Sequence, residues 1–123
     1  MNLKRIFTSL LAASAIGLLV AAPSSAAILT ATGHLTLLRV HDVGTGWGPA
    51  NDFLDAEVII RLDTKPGEAF GFQLRDDANR PVRQGMLDLL RDALNADRAV
   101  TIDYFSVAGH LNSQLFRVYV TGP

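Results

Sequence analysis

Val82–Asn95 reads VRQGMLDLLRDALN, a helix-like stretch with strand-like stretches on both sides. Its apolar residues recur at the i, i+4 and i+7 spacing of a helix that buries one side. They are Val82, Met86, Leu89, Leu90 and Ala93, extended by Leu87 and Leu94. Pro81 comes just before, at a position where a helix loses no hydrogen bond to proline. The sequence therefore predicts one helix at this point.

Five strand-like stretches surround this helix, three before it and two after it. In the clearest one, Phe53–Asp63, apolar and polar residues alternate with the period of two of a half-buried strand. Leu54, Ala56, Val58, Ile60 and Leu62 are predicted to be buried, and Asp55, Glu57 and Arg61 to be solvated. The other four predicted strands are His34–His41, Ala69–Arg75, Ala99–Phe105 and Leu115–Thr121. The predicted inward residues are Phe70, Phe72 and Leu74 in the stretch 69–75. They are Val100, Ile102 and Tyr104 in 99–105, and Phe116, Val118 and Val120 in 115–121.

The order of these elements predicts a mainly β domain. A five-stranded OB-type Greek-key barrel has one α-helix between strands 3 and 4, as in this order. Closure, complete or nearly so, would hide the strand edges. The connections Asp42–Asp52 and Val107–Gln114 are rich in loop-forming residues and are predicted to be loops.

The N-terminal 27 residues have the pattern of a secretory signal peptide. Lys4 and Arg5 precede the apolar run 6–22, and the small residues of 23–27 offer a cleavage site. We therefore expect residues 1–27 to be a signal peptide and residues 28–123 to form a single OB-fold domain. The protein is expected to be exported, either to the periplasm or out of the cell.

Composition narrows the classes of function. The chain has no cysteine, so disulfides and thiolate metal sites are excluded. Without Lys4 and Arg5, nine basic side chains remain against 12 acidic ones. A mildly acidic domain is a poor candidate for nucleic acid, whose affinity depends on neutralising phosphates. No second apolar stretch is long enough to span a membrane.

No pattern of catalytic or metal-ligating residues is evident. His34, His41 and His110 lack the convergent spacing of metal ligands. The glycine-rich 44–48 leads into a strand rather than a helix, unlike a phosphate-binding loop. No serine stands in a nucleophile-elbow pattern. We therefore expect a non-enzymatic protein with no metal and no cofactor.

The two long loops hold the candidate ligand-binding residues. In OB folds, the loop between strands 1 and 2 and the loop between strands 4 and 5 flank the face that binds oligosaccharides or oligonucleotides. An aromatic face with nearby amides and carboxylates suits a sugar. Alternatively, the tryptophan folds back to plug one end of the barrel. The predicted ligand-binding residues are Trp47, Asn51, Asp52, His110 and Asn112.

The chain resembles the B-subunit-like domains related to subtilase cytotoxin, and more distantly the B subunits of pentameric AB-type toxins. The resemblance lies in the predicted signal peptide, the first strand HLTLLRVH, the phrase RQGMLDLLRDAL followed by AVTIDY, and the short closing strand. It implies an OB barrel that assembles as a homo-pentamer, binds cell-surface glycans and serves a catalytic A subunit. It also implies that the helix's polar side lines a central pore, through Gln84, Asp88, Arg91, Asp92 and Asn95.

Two functions therefore remain open. The first is a secreted, non-enzymatic glycan-binding subunit of the AB-toxin type. The second is a stand-alone periplasmic OB-fold protein that acts through protein contacts and binds no sugar.

Overall fold

The computed structural model describes residues 26–122 as a mainly β structure with one helix. The predicted signal peptide lies outside these residues except for Ala26 and Ala27. The strands are β1 (Ala27–Gly33), β2 (Leu35–Val40), β3 (Val58–Leu62), β4 (Ala69–Phe72), β5 (Val100–Ser106) and β6 (Asn112–Tyr119). The helix α1 (Arg80–Asn95) lies between β4 and β5, and a short 3-10 helix covers Ala50–Asp52.

All six strands belong to one sheet, in the order β1-β5-β6-β4-β3-β2. The pairs are antiparallel except for β4 and β6, which run parallel. The predicted five-strand barrel is not confirmed. Within residues 26–122 there are six strands, and their ladders do not close the sheet into a barrel, because β1 and β2 are not paired with each other.

The two edge strands are nevertheless consecutive, with His34 alone between them. The connection after β3 holds this junction. His34 donates its backbone N–H to Asp63 Oδ1 at 2.9 Å, and its carbonyl accepts from the Asp63 N–H at 3.0 Å. Thr64 Oγ1 also donates to the carbonyl of Thr32 at 2.6 Å. These bonds satisfy the backbone at the break, so that one segment of chain supplies both edges of the sheet.

The helix packs its apolar side onto the sheet, mainly against β2 and β6. Met86, Leu90 and Ala93 are buried, as predicted. Val82 and Leu94 were expected to belong to the same side, but they are 70% and 43% exposed. The buried stripe is therefore narrower than the sequence predicts. Its main core partners on the sheet include Val58, Ile60, Leu62, Phe70, Phe72, Val100, Ile102, Tyr104 and Leu115.

A second apolar cluster lies apart from this core. It contains Leu54, Ala56, Ile59 and Ala69, with Leu37 and Trp47 packed against it. The segment before β3 is irregular, so Leu54 and Ala56 join this second cluster while Val58 and Ile60 remain in the main core. The cluster supports the connection between β2 and β3, which holds most of the predicted site.

The predictions for two side chains, Glu57 and Phe116, are wrong. Glu57 was expected to be solvated, but it is 2% exposed and receives hydrogen bonds from Arg75 Nε at 2.7 Å and Nη2 at 3.0 Å. Phe116 was expected to face inward together with Val118, but only Val118 is buried, and Leu115 is buried in place of Phe116. A register shift opposite Asp103 and Tyr104 inserts one residue into β6, which reverses the alternation.

Candidate ligand-binding site

The two predicted loops meet at an open cavity of about 540 Å³. One side of the cavity comes from the connection between β2 and β3. The other comes from the turn before β6 and its first residue. Arg39 of β2, Arg61 of β3 and Gly67 complete the rim. The lining residues are Arg39, Gly46, Trp47, Gly48, Pro49, Asp52, Arg61, Gly67, Leu111 and Asn112.

Trp47 is fixed in the cavity wall by its backbone and by its ring. Its N–H donates to the Leu54 carbonyl at 3.0 Å, and its carbonyl accepts from the Leu54 N–H at 2.7 Å. The half-buried ring packs against the second apolar cluster. Trp47 is therefore neither a freely exposed platform nor a fully buried plug.

Two arginines lie over the Trp47 ring. The guanidinium carbons of Arg39 and Arg61 are 5.4 Å and 5.2 Å from its centroid, within the range of a cation–π contact. Because Leu37 faces Arg61 and Arg39 faces Ile59 across the β2–β3 ladder, both arginines project from the same side of the sheet. Both are exposed. No carboxylate in residues 26–122 comes within 4.0 Å of either guanidinium.

Asp52 ties the two loops together. Its carboxylate accepts the backbone N–H groups of Leu111 at 2.9 Å and Asn112 at 3.3 Å. The Asn112 side-chain amide donates back to the Asp52 carbonyl at 2.9 Å. His110 Nδ1 lies 3.6 Å from Asp52 Oδ1. These contacts engage both oxygens of the carboxylate, so Asp52 positions the cavity wall.

The five predicted site residues have different places in this arrangement. Trp47, Asp52 and Asn112 line the cavity together. His110 lies beside Asp52 but is not part of the lining. Asn51 is exposed in the 3-10 helix and does not line the cavity either.

Arg39 and Arg61 were missed as candidate site residues. The alternation of the third predicted stretch places Arg61 on its solvated side, and this is borne out by its exposure. The missing information was that Arg39, from a different strand, and Trp47, from a loop, come to the same place. That juxtaposition depends on the β2–β3 register and on the return of the loop to Leu54.

The remaining histidines are engaged elsewhere. His34 Nδ1 lies 3.6 Å from Asp63 Oδ2, and His41 Nε2 lies 2.7 Å from the Ala56 carbonyl, to which it donates. Across residues 26–122, no three side chains of histidine, cysteine, aspartate or glutamate are grouped as metal ligands would be. In the same residues, no helix is both long enough and apolar enough to cross a membrane.

No family model, curated protein or solved structure matches this chain. Trp47, the two arginines over it and the loops that Asp52 joins are therefore the features from which function is inferred.

Proposed function

We propose that this protein is a non-enzymatic, exported domain of OB type that binds carbohydrate in the Trp47 cavity. The observation that carries the proposal is the meeting of two loops. In OB folds, the loops after the first strand and before the last strand flank the face that binds oligosaccharides. Here the connection between β2 and β3 and the turn between β5 and β6 form one cavity.

The wiring of the strands supports the OB-type assignment. If β1 and β2 are taken as two halves of one strand bent at His34, the chain has five strands and one helix. The two halves of this first strand lie at opposite edges of the sheet, where β1 pairs with β5 and β2 pairs with β3. In this reading the helix lies between the third and fourth strands, as the sequence predicts, which supports the OB-type assignment.

The chemistry of the cavity suits a sugar. Trp47 offers the part of its ring that its neighbours leave uncovered, and the exposed guanidinium groups of Arg39 and Arg61 donate in a fixed fork geometry. Asp52 and Asn112 are already engaged with each other's loops. The ligand is therefore bound mainly by Trp47, Arg39 and Arg61.

A glycan array with Trp47→Ala tests this function. We expect wild-type protein to bind a subset of glycans, and Trp47→Ala to lose about tenfold or more in affinity, because truncation removes the support of both arginines. Tyr119→Ala, which removes an exposed aromatic ring outside the cavity, is the matched control and should bind like wild type. Equal binding by the Trp47→Ala and wild-type proteins would exclude this site, and no glycan binding by wild-type protein would exclude the function.

One observation favours the second function, a protein that acts through protein contacts. On the outer side of the sheet, Ile28 of β1 faces Phe105 of β5. Both are exposed, and the Phe105 ring lies 4.5 Å from the Phe116 ring. Neighbouring exposed apolar residues of this kind are typical of protein interaction surfaces. A strictly monomeric protein that binds no glycan but captures a protein partner through Ile28 and Phe105 would support this alternative.

A further inference from the structure

We propose that His41 is a pH-sensitive latch, which holds the connection between β2 and β3 closed at neutral pH and lets it open in acid. The latch consists of the His41 side chain and the Ala56 carbonyl, to which it donates. Because this connection forms one wall of the Trp47 cavity, its opening would release a ligand bound there. That consequence for the ligand rests on the proposed carbohydrate-binding function, whereas the opening itself does not.

His41 and Ala56 lie at the two ends of the connection that carries Trp47. His41 follows directly after β2, and Ala56 comes two residues before β3. The His41 backbone N–H donates to the Glu57 carbonyl at 3.0 Å, and its Nε2 donates to the Ala56 carbonyl at 2.7 Å. Ala56 is 1% exposed and belongs to the second apolar cluster, against which Trp47 packs. The His41 side chain therefore ties the base of the connection to the support of the cavity wall.

The two ring nitrogens of His41 are in different surroundings. A carbonyl oxygen only accepts, so Nε2 carries the hydrogen in the neutral ring and Nδ1 has none. Nδ1 is buried and has no hydrogen-bond partner in the part of the chain that the structure describes. A proton added there would create a buried N–H without an acceptor, on a ring that is then charged. Burying such a group is costly, so protonation favours the form in which the His41 ring reaches water.

The charged groups around His41 do not offset this cost. They lie on its own segment, on the stretch before β3 and on the stretch after β4, and they are Arg39, Asp42, Asp55, Glu57 and Arg75. Arg75 binds the carboxylates of both Asp55 and Glu57, and Asp42 is exposed to solvent, which weakens its field. Within residues 26–122, no carboxylate comes within 4.0 Å of either ring nitrogen of His41.

The direction of the pH effect follows from proton binding. The closed form binds fewer protons at His41 than the open form, so lowering the pH shifts the equilibrium toward the open form. An exposed histidine gains its proton below about pH 6.5. Each pH unit below that value shifts the ratio of closed to open forms by up to about tenfold. The connection is therefore closed at neutral pH and opens in mild acid.

Acrylamide quenching of Trp47, the only tryptophan in the chain, measures this opening without any ligand. We expect the quenching constant of the wild-type protein to rise at least about twofold between about pH 7.5 and about pH 5.5. His41→Gln supplies an amide N–H for the Ala56 carbonyl but does not titrate, so its quenching should stay low throughout. His41→Ala has no donor and should be quenched strongly at both pH values. Circular dichroism at each pH checks that the domain stays folded.

His110→Gln and His34→Gln are the matched controls. His110 lies beside Asp52 and His34 beside Asp63, so protonation strengthens these two pairs rather than breaking them. Both variants should keep the acid response. Quenching of the wild-type protein that does not change with pH, or an acid response that survives in His41→Gln, would overturn the inference. Loss of the response in His110→Gln would assign the effect to His110 and would also overturn it.

The same variants on a glycan array separate this inference from the proposed function. Glycans bound by the wild-type protein at about pH 7.5 should be released at about pH 5.5, whereas His41→Gln should retain them. Equal retention by both proteins in acid would overturn the release of the ligand. If no glycan binds at neutral pH, the proposed function fails, and the quenching measurements still decide whether His41 is a pH-sensitive latch.

Discussion

Gly48 is the residue on which the shape of the cavity wall depends most directly. Its φ of +92° lies in the region that favours glycine. A Cβ added there would lie 2.5 Å from the Asp52 carbonyl oxygen and would also clash with the Asn112 side-chain amide. These two groups form one of the hydrogen bonds that join the loops. Gly48 thus allows Trp47 and the Asp52 connection to lie side by side.

Gly48→Ala should therefore loosen the loop around Trp47. Gly44→Ala is a close control, because Gly44 has a similar φ of +89° but no atom within 4 Å of an added Cβ. Both variants have the cost of a left-handed backbone, and only Gly48→Ala adds the clash. Trp47 is the only tryptophan in the chain, so its fluorescence reports on this loop alone. We expect acrylamide to quench Gly48→Ala more strongly than Gly44→Ala. Equal quenching would show that the clash is relieved without moving Trp47.

Glu57 shows why the alternation of a strand does not predict the burial of every residue in it. The alternation of Phe53–Asp63 places it among solvated residues, yet Arg75, distant in sequence, folds over it. The Leu74 N–H also donates to Glu57 Oε1 at 3.2 Å. The hydrogen bond to Glu57 raises the pKa of Arg75 above its ordinary value. Because Arg75 is a base with a raised pKa, its charged form contributes fully to the free energy of unfolding at any pH below the ordinary arginine pKa. This contribution is lost only when the pH rises above that value. Arg75 therefore keeps its positive charge throughout the usual pH range.

At the scale of elements, the apolar periodicity predicted the buried residues of β5 correctly. It did not predict how the strands pair with one another. Val100, Ile102 and Tyr104 are buried as their alternation indicates. The last strand begins at Asn112, earlier than expected, and its register shift at Phe116 buries Leu115 before the shift, whereas Val118 beyond it is buried as predicted. The strand β1, AILTATG, was missed although it contains β-branched residues, and it adjoins the predicted signal peptide. The bulge in β6 depends on the partner strand, which no local pattern contains.

The helix allows a direct test of which residues hold it to the sheet. Leu90 is fully buried in the main core, whereas Leu94 is 43% exposed. Leu90→Ala should lower the free energy of unfolding by about 2–5 kcal/mol, because it leaves a cavity against the sheet. Leu94→Ala should change it by about 0.5 kcal/mol or less. Urea unfolding measures both. Similar losses in the two variants would mean that the helix also buries its Leu94 side, as it would in an assembly.

At the scale of the whole molecule, the sequence predicted a mainly β chain with one helix, but it did not predict the six-stranded sheet or its strand order. The helix lies between the third and fourth predicted strands, which correspond to β4 and β5, and β1 is an additional strand that was not predicted. The break at His34 could not be predicted, because it depends on hydrogen bonds from the connection after β3. Likewise, the cavity required two loops that are distant in sequence to be joined by Asp52.

We propose that the protein forms a homo-oligomer, and a pentamer if the toxin resemblance holds. In this assembly a second copy would cover the exposed Ile28 and Phe105, the surface that the alternative function assigns to a different protein partner. Size-exclusion chromatography with light scattering should give a mass several times that of one chain, and Phe105→Asp should reduce it. Tyr119→Asp offers a control on a neighbouring strand. A single-chain mass for wild-type protein would contradict the proposal.

The junction at His34 also has a consequence for how the domain folds. In the β1 ladder, Ala27 pairs with Ser106 and Gly33 with Val100, so the first strand finds its partner only near the C-terminal end of the domain. Closing that long segment costs chain entropy, and this cost comes before the pairing of β1 with β5 contributes any stability. Contacts of such high contact order slow folding relative to a helical domain of equal size. During synthesis, β1 therefore stays without its partner until β5 has left the ribosome.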